Sequence, residues 1–133
     1  MKRQATTVVL NGRAFMITGS SGSGKSALAL ALIGRGALLL SDDLTEVQDG
    51  MAYAPSVHRG WLEVRGIGLV SGFPVCEKAP LAAEIHLSDH KPERLPPQED
   101  TPIPVFHLWT QDKNPADKVM LIDRLLAGER TIE

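Results

Sequence analysis

The glycine-rich stretch GSSGSGKS, Gly19–Ser26, constrains the fold of this chain more than any other feature. Its pattern is G-x-x-x-x-G-K-S, in which the glycines let successive backbone N–H groups curl around a phosphate. Such a loop works where it follows a strand and opens a helix. The apolar run RAFMIT precedes it, and the Ala- and Leu-rich run KSALALALIGRG follows it. The stretch therefore predicts an α/β fold built around a phosphate-binding loop.

The loop also predicts which residues bind a nucleoside triphosphate. Lys25 would bridge the β- and γ-phosphates, and Ser26 would ligate a magnesium ion. The helix that begins near Lys25 adds its positive end to the same anion site. The predicted nucleotide-binding residues are Gly19, Ser20, Ser21, Gly22, Ser23, Gly24, Lys25 and Ser26.

Dipeptides that favour tight turns divide the first half of the chain into strands. Asn11–Gly12 separates TTVVL from RAFMIT, and Asp49–Gly50 separates TEVQ from MAY, so both pairs are predicted as hairpins. The helix after the loop is expected to stop at Gly34 or Gly36, where a left-handed cap is available. The following run ALLL is short and continuously apolar, which is typical of a strand covered on both faces in a parallel sheet.

The second half of the chain is less regular. Residues 91–104 contain five prolines and five charged residues, so we expect an irregular connection there. Asn114–Pro115 is typical of a helix start, and a C-terminal helix over 115–127 is predicted to cover one face of the sheet. The apolar positions that recur in this helix are Val119, Leu121, Ile122, Leu125 and Leu126. With 133 residues, 43% of them hydrophobic, the chain is expected to form one domain, 1–133.

Composition excludes several functional classes. A formal net charge of −2 argues against a nucleic-acid-binding protein, which usually carries a basic face. Cys76 is the single cysteine, so no internal disulfide is expected and a reducing cytoplasm is the natural location. No apolar segment has the length of a signal peptide or a membrane span. The four histidines show no metal-ligand spacing.

Two adjacent carboxylates follow the second strand of the predicted strand–loop–helix–strand unit. Asp42 and Asp43 stand where ligands bind in open α/β sheets, beside the phosphate loop. One carboxylate can hold the metal ion, directly or through water, while the other accepts a proton from an attacking hydroxyl group. The sequence does not say which residue has which role. The alternative is a solvated turn after a strand, but the neighbouring phosphate loop favours a catalytic pair.

Three pieces together identify a known family. The segment TGSSGSGKSALALALIGRGALLLSDDLTEV, followed by WLEVRGIGLV, resembles the catalytic domain of HPr kinase/phosphorylase, particularly its short proteobacterial forms. The resemblance covers roughly Thr6 to Leu87. It implies a P-loop kinase-like α/β domain of the HPr kinase / PEP carboxykinase type, with a mixed sheet and flanking helices.

The resemblance also implies an activity. It is that of a cytoplasmic, ATP- and Mg²⁺-dependent serine kinase, often also a phosphorylase. Its partner would be an HPr-like phosphocarrier protein of the sugar phosphotransferase system, through which carbon metabolism is regulated. Homo-oligomers are possible, and no nucleic acid or membrane partner is expected.

The resemblance assigns the family's functional residues to the matching positions of this sequence. Arg65 lies in the family's R-G-I-G element, and its planar guanidinium could neutralise a phosphoryl group or orient inorganic phosphate. The implied catalytic residues are Lys25, Asp42, Asp43 and Arg65, and the implied metal ligands are Ser26, Asp42 and Glu63.

The chain departs from the family at two places. Gln4 stands where members carry a histidine in an H-A-T-like stretch, and glutamine, unlike imidazole, does not exchange a proton near neutral pH. After Leu87 the chain has neither the basic loop nor the two-helix ending of longer members. Two other functions therefore stay open: a catalytically impaired nucleotide-sensing module, and a small-molecule P-loop kinase.

Overall fold

The computed structural model describes residues 1–91 and 102–128, and this part of the chain forms ten strands and two helices. The helices are α1 (Lys25–Ile33) and α2 (Pro115–Leu126). The strands are β1 (Lys2–Gln4), β2 (Thr6–Leu10), β3 (Arg13–Gly19), β4 (Leu38–Ser41), β5 (Leu44–Gln48), β6 (Met51–Tyr53), β7 (Leu62–Val64), β8 (Gly68–Val70), β9 (Lys78–Ser88) and β10 (Val105–Trp109).

Eight of these strands form one mixed sheet, as predicted. Their order is β1-β5-β6-β9-β3-β2-β4, and β10 also pairs with β9, while β7 and β8 form a separate two-stranded ribbon. β9 pairs in parallel with both β3 and β10, and the remaining pairs of the sheet are antiparallel. The carboxyl ends of β3, β9 and β10 therefore meet at one edge, where α/β sheets bind ligands.

Both predicted hairpins are confirmed. β2 and β3 pair antiparallel with Leu10 opposite Arg13, and Asn11 and Gly12 have φ values of 51° and 78°. β5 and β6 pair around Asp49–Gly50, again with two positive φ values. Positive φ at both central positions matches the right-handed twist of paired strands, which explains why these dipeptides predicted the turns.

The predicted environment of β4 was wrong in one respect. β4 pairs antiparallel with β2, so β2 lies between the two parallel strands of the unit β3-α1-β4. The reason is the preceding hairpin, because β2 already occupies the edge of β3 that a parallel neighbour would take. Leu38 is also 36% exposed, although Leu39 and Leu40 are buried. A continuous apolar run indicates burial, not the direction of the neighbouring strand.

The structure tests one predicted boundary of each helix, the end of α1 and the start of α2. α1 ends at Ile33, and Gly34 is right-handed, whereas Gly36 has φ 103° and lets the Ala37 N–H donate to the Leu32 carbonyl at 3.0 Å. The left-handed cap expected at Gly34 or Gly36 thus lies at Gly36. α2 begins with Pro115 after Asn114, whose side chain makes no capping hydrogen bond.

The main core lies between the sheet and the two helices. It joins apolar residues of β2, β3 and β9 to those of both helices, including Phe15, Ile17, Leu32, Ile85 and Val119. The buried face of α2 also contains a carboxylate that sequence periodicity did not predict: Asp123, which is 2% exposed. Asp123 accepts hydrogen bonds from Asn11 Nδ2 at 2.6 Å and Arg13 Nε at 3.0 Å, which ties α2 to the β2–β3 turn. Leu121, predicted among the apolar positions, is 48% exposed.

Most of the predicted irregular connection, 91–104, lies outside the described residues. Within 1–91 and 102–128, neither helix has the length and apolar character needed to cross a bilayer.

Candidate functional site

The loop from Gly19 to Ser26 leaves the carboxyl end of β3 and opens α1. Gly19, Gly22 and Gly24 have φ values of 146°, 81° and 101°, a region that residues with a side chain rarely adopt. At Gly19 there is also no space, because a Cβ atom would lie 2.7 Å from Ser23 Oγ and 2.8 Å from the Leu87 carbonyl oxygen. The glycines of the motif are therefore required by the backbone path.

Two cationic side chains lie against this loop. Lys25 Nζ donates to the carbonyl oxygens of Gly19 at 2.9 Å and Ser20 at 3.1 Å. Arg65 Nη2 lies 3.7 Å from the place that a Cβ atom on Gly22 would occupy. Within the described ranges, neither cation forms an ion pair with a carboxylate. The loop thus combines a helix N-terminus with two unneutralised positive charges, which favours an anion.

The carboxylate of Asp42 holds three parts of the site together. Its Oδ1 accepts hydrogen bonds from Thr6 Oγ1 at 2.8 Å and Ser26 Oγ at 3.1 Å. Its Oδ2 accepts the backbone N–H of Glu63 at 3.0 Å. Asp42 therefore links β2, the start of α1 and the β7–β8 ribbon.

Asp43 has a different environment. It is exposed and has φ 75°, a conformation in which Asp and Asn are enriched among non-glycine residues. Its carbonyl oxygen accepts the Ala5 N–H at 3.1 Å, which fixes the backbone. Among the described residues no side chain or backbone group bonds to its carboxylate. The pair therefore consists of one anchored carboxylate and one free carboxylate.

These residues surround a single cleft of about 970 Å³. The predicted site residues that line it are Ser21, Gly22, Gly24, Lys25, Ser26, Asp42, Asp43, Glu63 and Arg65. Of the loop residues described, Gly19, Ser20 and Ser23 are not part of this lining, and Ser23 instead lines a second cavity.

The donor set suits a magnesium ion bound together with phosphates. No group of three or more His, Cys, Asp and Glu side chains in 1–91 and 102–128 could form an all-protein metal site. Magnesium bound with substrate phosphates needs only one or two carboxylates. Ser26 Oγ and Asp42 Oδ1 are 3.1 Å apart. Neighbouring ligands of an octahedral magnesium ion with bonds of about 2.1 Å lie about 3 Å apart, so these two oxygens fit.

Two features of the site were missed by sequence reasoning. Thr6 orients Asp42 from β2, and the backbone of Glu63 does so from β7. A threonine in a β-branched run reads as an ordinary strand residue, and a backbone donor leaves no trace in the sequence. Gln4, singled out as a departure, is exposed on β1 opposite Leu44, outside the cleft lining.

Comparison with known proteins identifies the family. The family model described as "HPr Serine kinase C-terminal domain" matches residues 2–75, more than half of the chain. The chain belongs to the HPr serine kinase C-terminal domain family. The matched range contains the phosphate loop, the acidic pair, Glu63 and Arg65.

Curated relatives agree with the family model. HPr kinase/phosphorylase of Aromatoleum aromaticum is 35% identical over 113 residues, which cover 76% of this chain and 34% of the relative. The protein of the same name from Bordetella petrii is 40% identical over 105 residues, covering 68% and 34%. The chain thus spans about a third of the length of these HPr kinase family members.

A solved structure matches nearly the whole chain. The HPr(Ser) kinase/phosphatase from Coxiella burnetii superposes with a TM-score of 0.79 at 25% identity, covering 97% of this chain and 92% of the other. The predicted fold class, an HPr-kinase-type α/β domain with a mixed sheet and flanking helices, is thereby confirmed.

Proposed function

We propose that this chain is an ATP- and Mg²⁺-dependent protein kinase that phosphorylates a serine of an HPr-like phosphocarrier protein in the cytoplasm. Through that protein it would regulate carbon metabolism. The observation that carries the proposal is the position of Asp42, whose contacts with Ser26 and Glu63 join the phosphate loop, the acidic pair and the β7–β8 ribbon around one cleft.

The loop and its cations would bind the triphosphate. Backbone N–H groups of Gly19–Ser26 and the N-terminus of α1 favour the phosphates, and Lys25 would move from its carbonyl partners to the β- and γ-phosphates. Arg65, beside Gly22, would neutralise charge that develops on the transferred group. Ser26, Asp42 and Glu63 would hold magnesium, which supplies further charge neutralisation at the phosphates when bound.

Asp43 is the group best placed to accept the proton. The serine oxygen attacks the γ-phosphorus, the bond from that phosphorus to the bridging β–γ oxygen breaks, and ADP leaves. The serine proton passes to the Asp43 carboxylate, which has all its acceptor sites free among the described residues. Asp42 already accepts three hydrogen bonds and would hold the metal together with Ser26 instead. Phosphorolysis would run through the same groups, with inorganic phosphate attacking phosphoserine to give pyrophosphate and serine.

The rim of the cleft favours a protein acceptor over a small alcohol. Ile67 and Leu69 of the β7–β8 ribbon are 77% and 62% exposed, and both line the cleft with Leu30 of α1. Grouped apolar side chains at the surface usually mark a contact with another macromolecule. A kinase that phosphorylates a small alcohol would not need an exposed apolar surface at the rim of its cleft.

A transfer assay with [γ-³²P]ATP and magnesium tests the proposal. Label is expected on the serine of the HPr-like protein from the same organism, and not on small alcohols. Label on a small alcohol alone would support the small-molecule kinase. ATP binding without any transfer would support the nucleotide-sensing module.

A further inference from the structure

Three buried hydroxyl groups form a cluster beside the turn that carries the acidic pair. They belong to Thr7 of β2, Ser41 of β4 and Thr45 of β5, and each residue is 3% exposed or less. Thr45 Oγ1 is hydrogen-bonded to Ser41 Oγ and, at 2.8 Å, to Thr7 Oγ1, and it donates to the Ala5 carbonyl at 3.1 Å. These three residues are not part of the cleft lining, so the cluster supports the turn from outside the cleft.

Thr45 is the centre of the cluster because its hydroxyl group makes every hydrogen bond that a hydroxyl can make. A carbonyl oxygen only accepts, so the Thr45 proton points at Ala5. Thr7 and Ser41 must then donate to the two lone pairs of Thr45 Oγ1. All three bonds are buried, and removing the Thr45 hydroxyl would leave its partners without it. The directions of the hydrogen bonds therefore have a single solution.

Ala5 connects this cluster to Asp43. The Ala5 carbonyl oxygen accepts the Thr45 hydroxyl, and the Ala5 N–H donates to the Asp43 carbonyl at 3.1 Å. The two bonds close a ring that runs from Asp43 through Leu44 to Thr45 and returns through Ala5. A displacement of Thr45 is therefore transmitted to the backbone of Asp43.

The backbone of Asp43 needs this support. Its φ is 75°, and the Leu44 N–H donates to the Asp42 carbonyl at 2.9 Å. A positive φ of this size with a hydrogen bond between residues two apart is typical of the classic γ-turn, which is rare and strained. Strained backbone clusters at active sites and persists only where the surrounding structure holds it. Without its contacts the turn would relax and move the Asp43 carboxylate.

We propose that Thr45 is a positioning residue, whose hydroxyl group holds the strained turn and so keeps the Asp43 carboxylate in place to accept the serine proton. The proposal rests on the proposed function, in which Asp43 is the base. Asp42 is held by other groups, Ser26 and the Glu63 N–H among them. Loss of the Thr45 hydroxyl should therefore disturb proton transfer more than metal binding.

The first test is kinetic and uses Thr45→Val, which keeps the shape of the side chain and removes the hydroxyl group. The kcat for transfer to the HPr-like protein should fall by about tenfold to a hundredfold, because a small misplacement of a catalytic group has an effect of that size. The KM for MgATP should stay within about twofold of the wild type, since nucleotide binding does not use the turn. Thr45→Ser, which keeps the hydroxyl group, should restore most of the lost kcat.

Thr18→Val is the matched control. Thr18 is 6% exposed, and its hydroxyl group is likewise bonded to side chains, those of Glu84 and His86. Neither partner belongs to the turn that carries the acidic pair. The variant therefore removes a similar buried hydroxyl group and should leave kcat near that of the wild type.

The second test does not require activity. The N–H groups of Ala5 and Leu44 bond to carbonyl groups of the turn, so their hydrogen exchange should become about tenfold or more faster in Thr45→Val, while the amides of β3 keep wild-type rates. Ser41→Ala removes one contact of Thr45 and leaves its bond to Ala5, so it is the milder variant to use if Thr45→Val does not fold. It should change kcat and both exchange rates in the same directions, by about threefold.

The outcomes separate this role from the proposed function. A wild-type kcat in Thr45→Val, an equal loss in Thr45→Ser or Thr18→Val, or unchanged exchange at Ala5 and Leu44 would overturn the positioning role and leave the kinase proposal intact. If the wild type transfers no phosphoryl group, the proposed function fails together with the catalytic part of this role. The exchange comparison then decides separately whether Thr45 holds the turn.

Discussion

Replacing each aspartate of the acidic pair by asparagine should separate their roles. Asp42 accepts bonds from two hydroxyl groups on Oδ1 and from the Glu63 N–H on Oδ2. In Asp42→Asn the amide oxygen must face the Glu63 N–H, since the NH₂ group cannot accept it. The NH₂ group then faces Ser26 and Thr6, and both hydroxyl groups must turn to accept.

Asp42→Asn should lower the free energy of unfolding only modestly, but it should weaken magnesium binding strongly. All three contacts survive as neutral hydrogen bonds, which are roughly half as strong as charge-assisted ones, so we expect a loss of about 1 kcal/mol. That corresponds to a fall in melting temperature of about 3–5 °C for a domain of this size. However, a nitrogen with two hydrogens replaces the oxygen beside Ser26, so magnesium affinity should fall sharply.

Asp43→Asn is the matched control. No described residue bonds to its side chain, and asparagine tolerates φ 75° as well as aspartate does. Melting temperature and magnesium affinity should therefore stay near wild type, while the transfer rate falls by about 10²-fold or more through loss of the proton acceptor.

The assay is a magnesium titration of the transfer rate together with thermal melts of both variants. Normal turnover of Asp43→Asn would refute its role as the base. If Asp42→Asn kept the wild-type magnesium dependence while Asp43→Asn lost it, the two roles would be reversed.

Three further predictions each concern the replacement or the ionisation of one residue. Lys25→Ala should weaken MgATP binding and abolish transfer, because it removes the charge that would hold the terminal phosphates; a wild-type transfer rate would remove the loop from the mechanism. Gln4 is exposed and lies outside the cleft lining, so Gln4→His should leave the ratio of the reverse to the forward initial rate near that of the wild type; a clearly raised ratio would contradict this. The hydrogen bond from Lys118, then that from the Asn114 N–H, lowers the pKa of Asp112. The resulting stability is present above the ordinary carboxyl pKa and is lost as pH falls through the lowered one. Melts from pH 7 into the acid range should therefore show a smaller decline for Asp112→Asn than for the wild type.

Short sequence motifs correctly predicted those turns and boundaries whose conformation is determined by neighbouring residues in the chain. Asn11–Gly12 and Asp49–Gly50 impose positive φ, and the glycine loop imposes the transition from β3 to α1, so these parts needed no tertiary information. The burial of β4 was visible, but its antiparallel pairing with β2 was not, because strand order depends on which edge is already occupied.

Pairing between strands that are distant in the sequence could not be predicted in this way. β9, the eleven-residue strand that pairs with β3, β6 and β10, carries Glu84 and His86 among apolar residues and gave no alternation clear enough to predict. The small ribbon of β7 and β8 likewise gave no hairpin signal.

The sequence predicted which residues form the site, but it did not predict how they contact one another. The motif predicted the loop, and the resemblance brought in Glu63 and Arg65, all of which lie around one cleft. The difference between the anchored Asp42 and the free Asp43 depends on Thr6 and on a backbone N–H, which meet Asp42 only after folding. The second cavity depends on residues of α1, β9 and α2 that no local pattern connects.

The most direct measurement is transfer of ³²P from [γ-³²P]ATP to the HPr-like protein of the same organism, with the serine of that protein replaced by alanine as the control. The proposed mechanism predicts magnesium-dependent labelling that is lost with the alanine control and falls by about 10²-fold or more in Asp43→Asn. Well-folded protein that binds MgATP and labels neither form of the acceptor would contradict it.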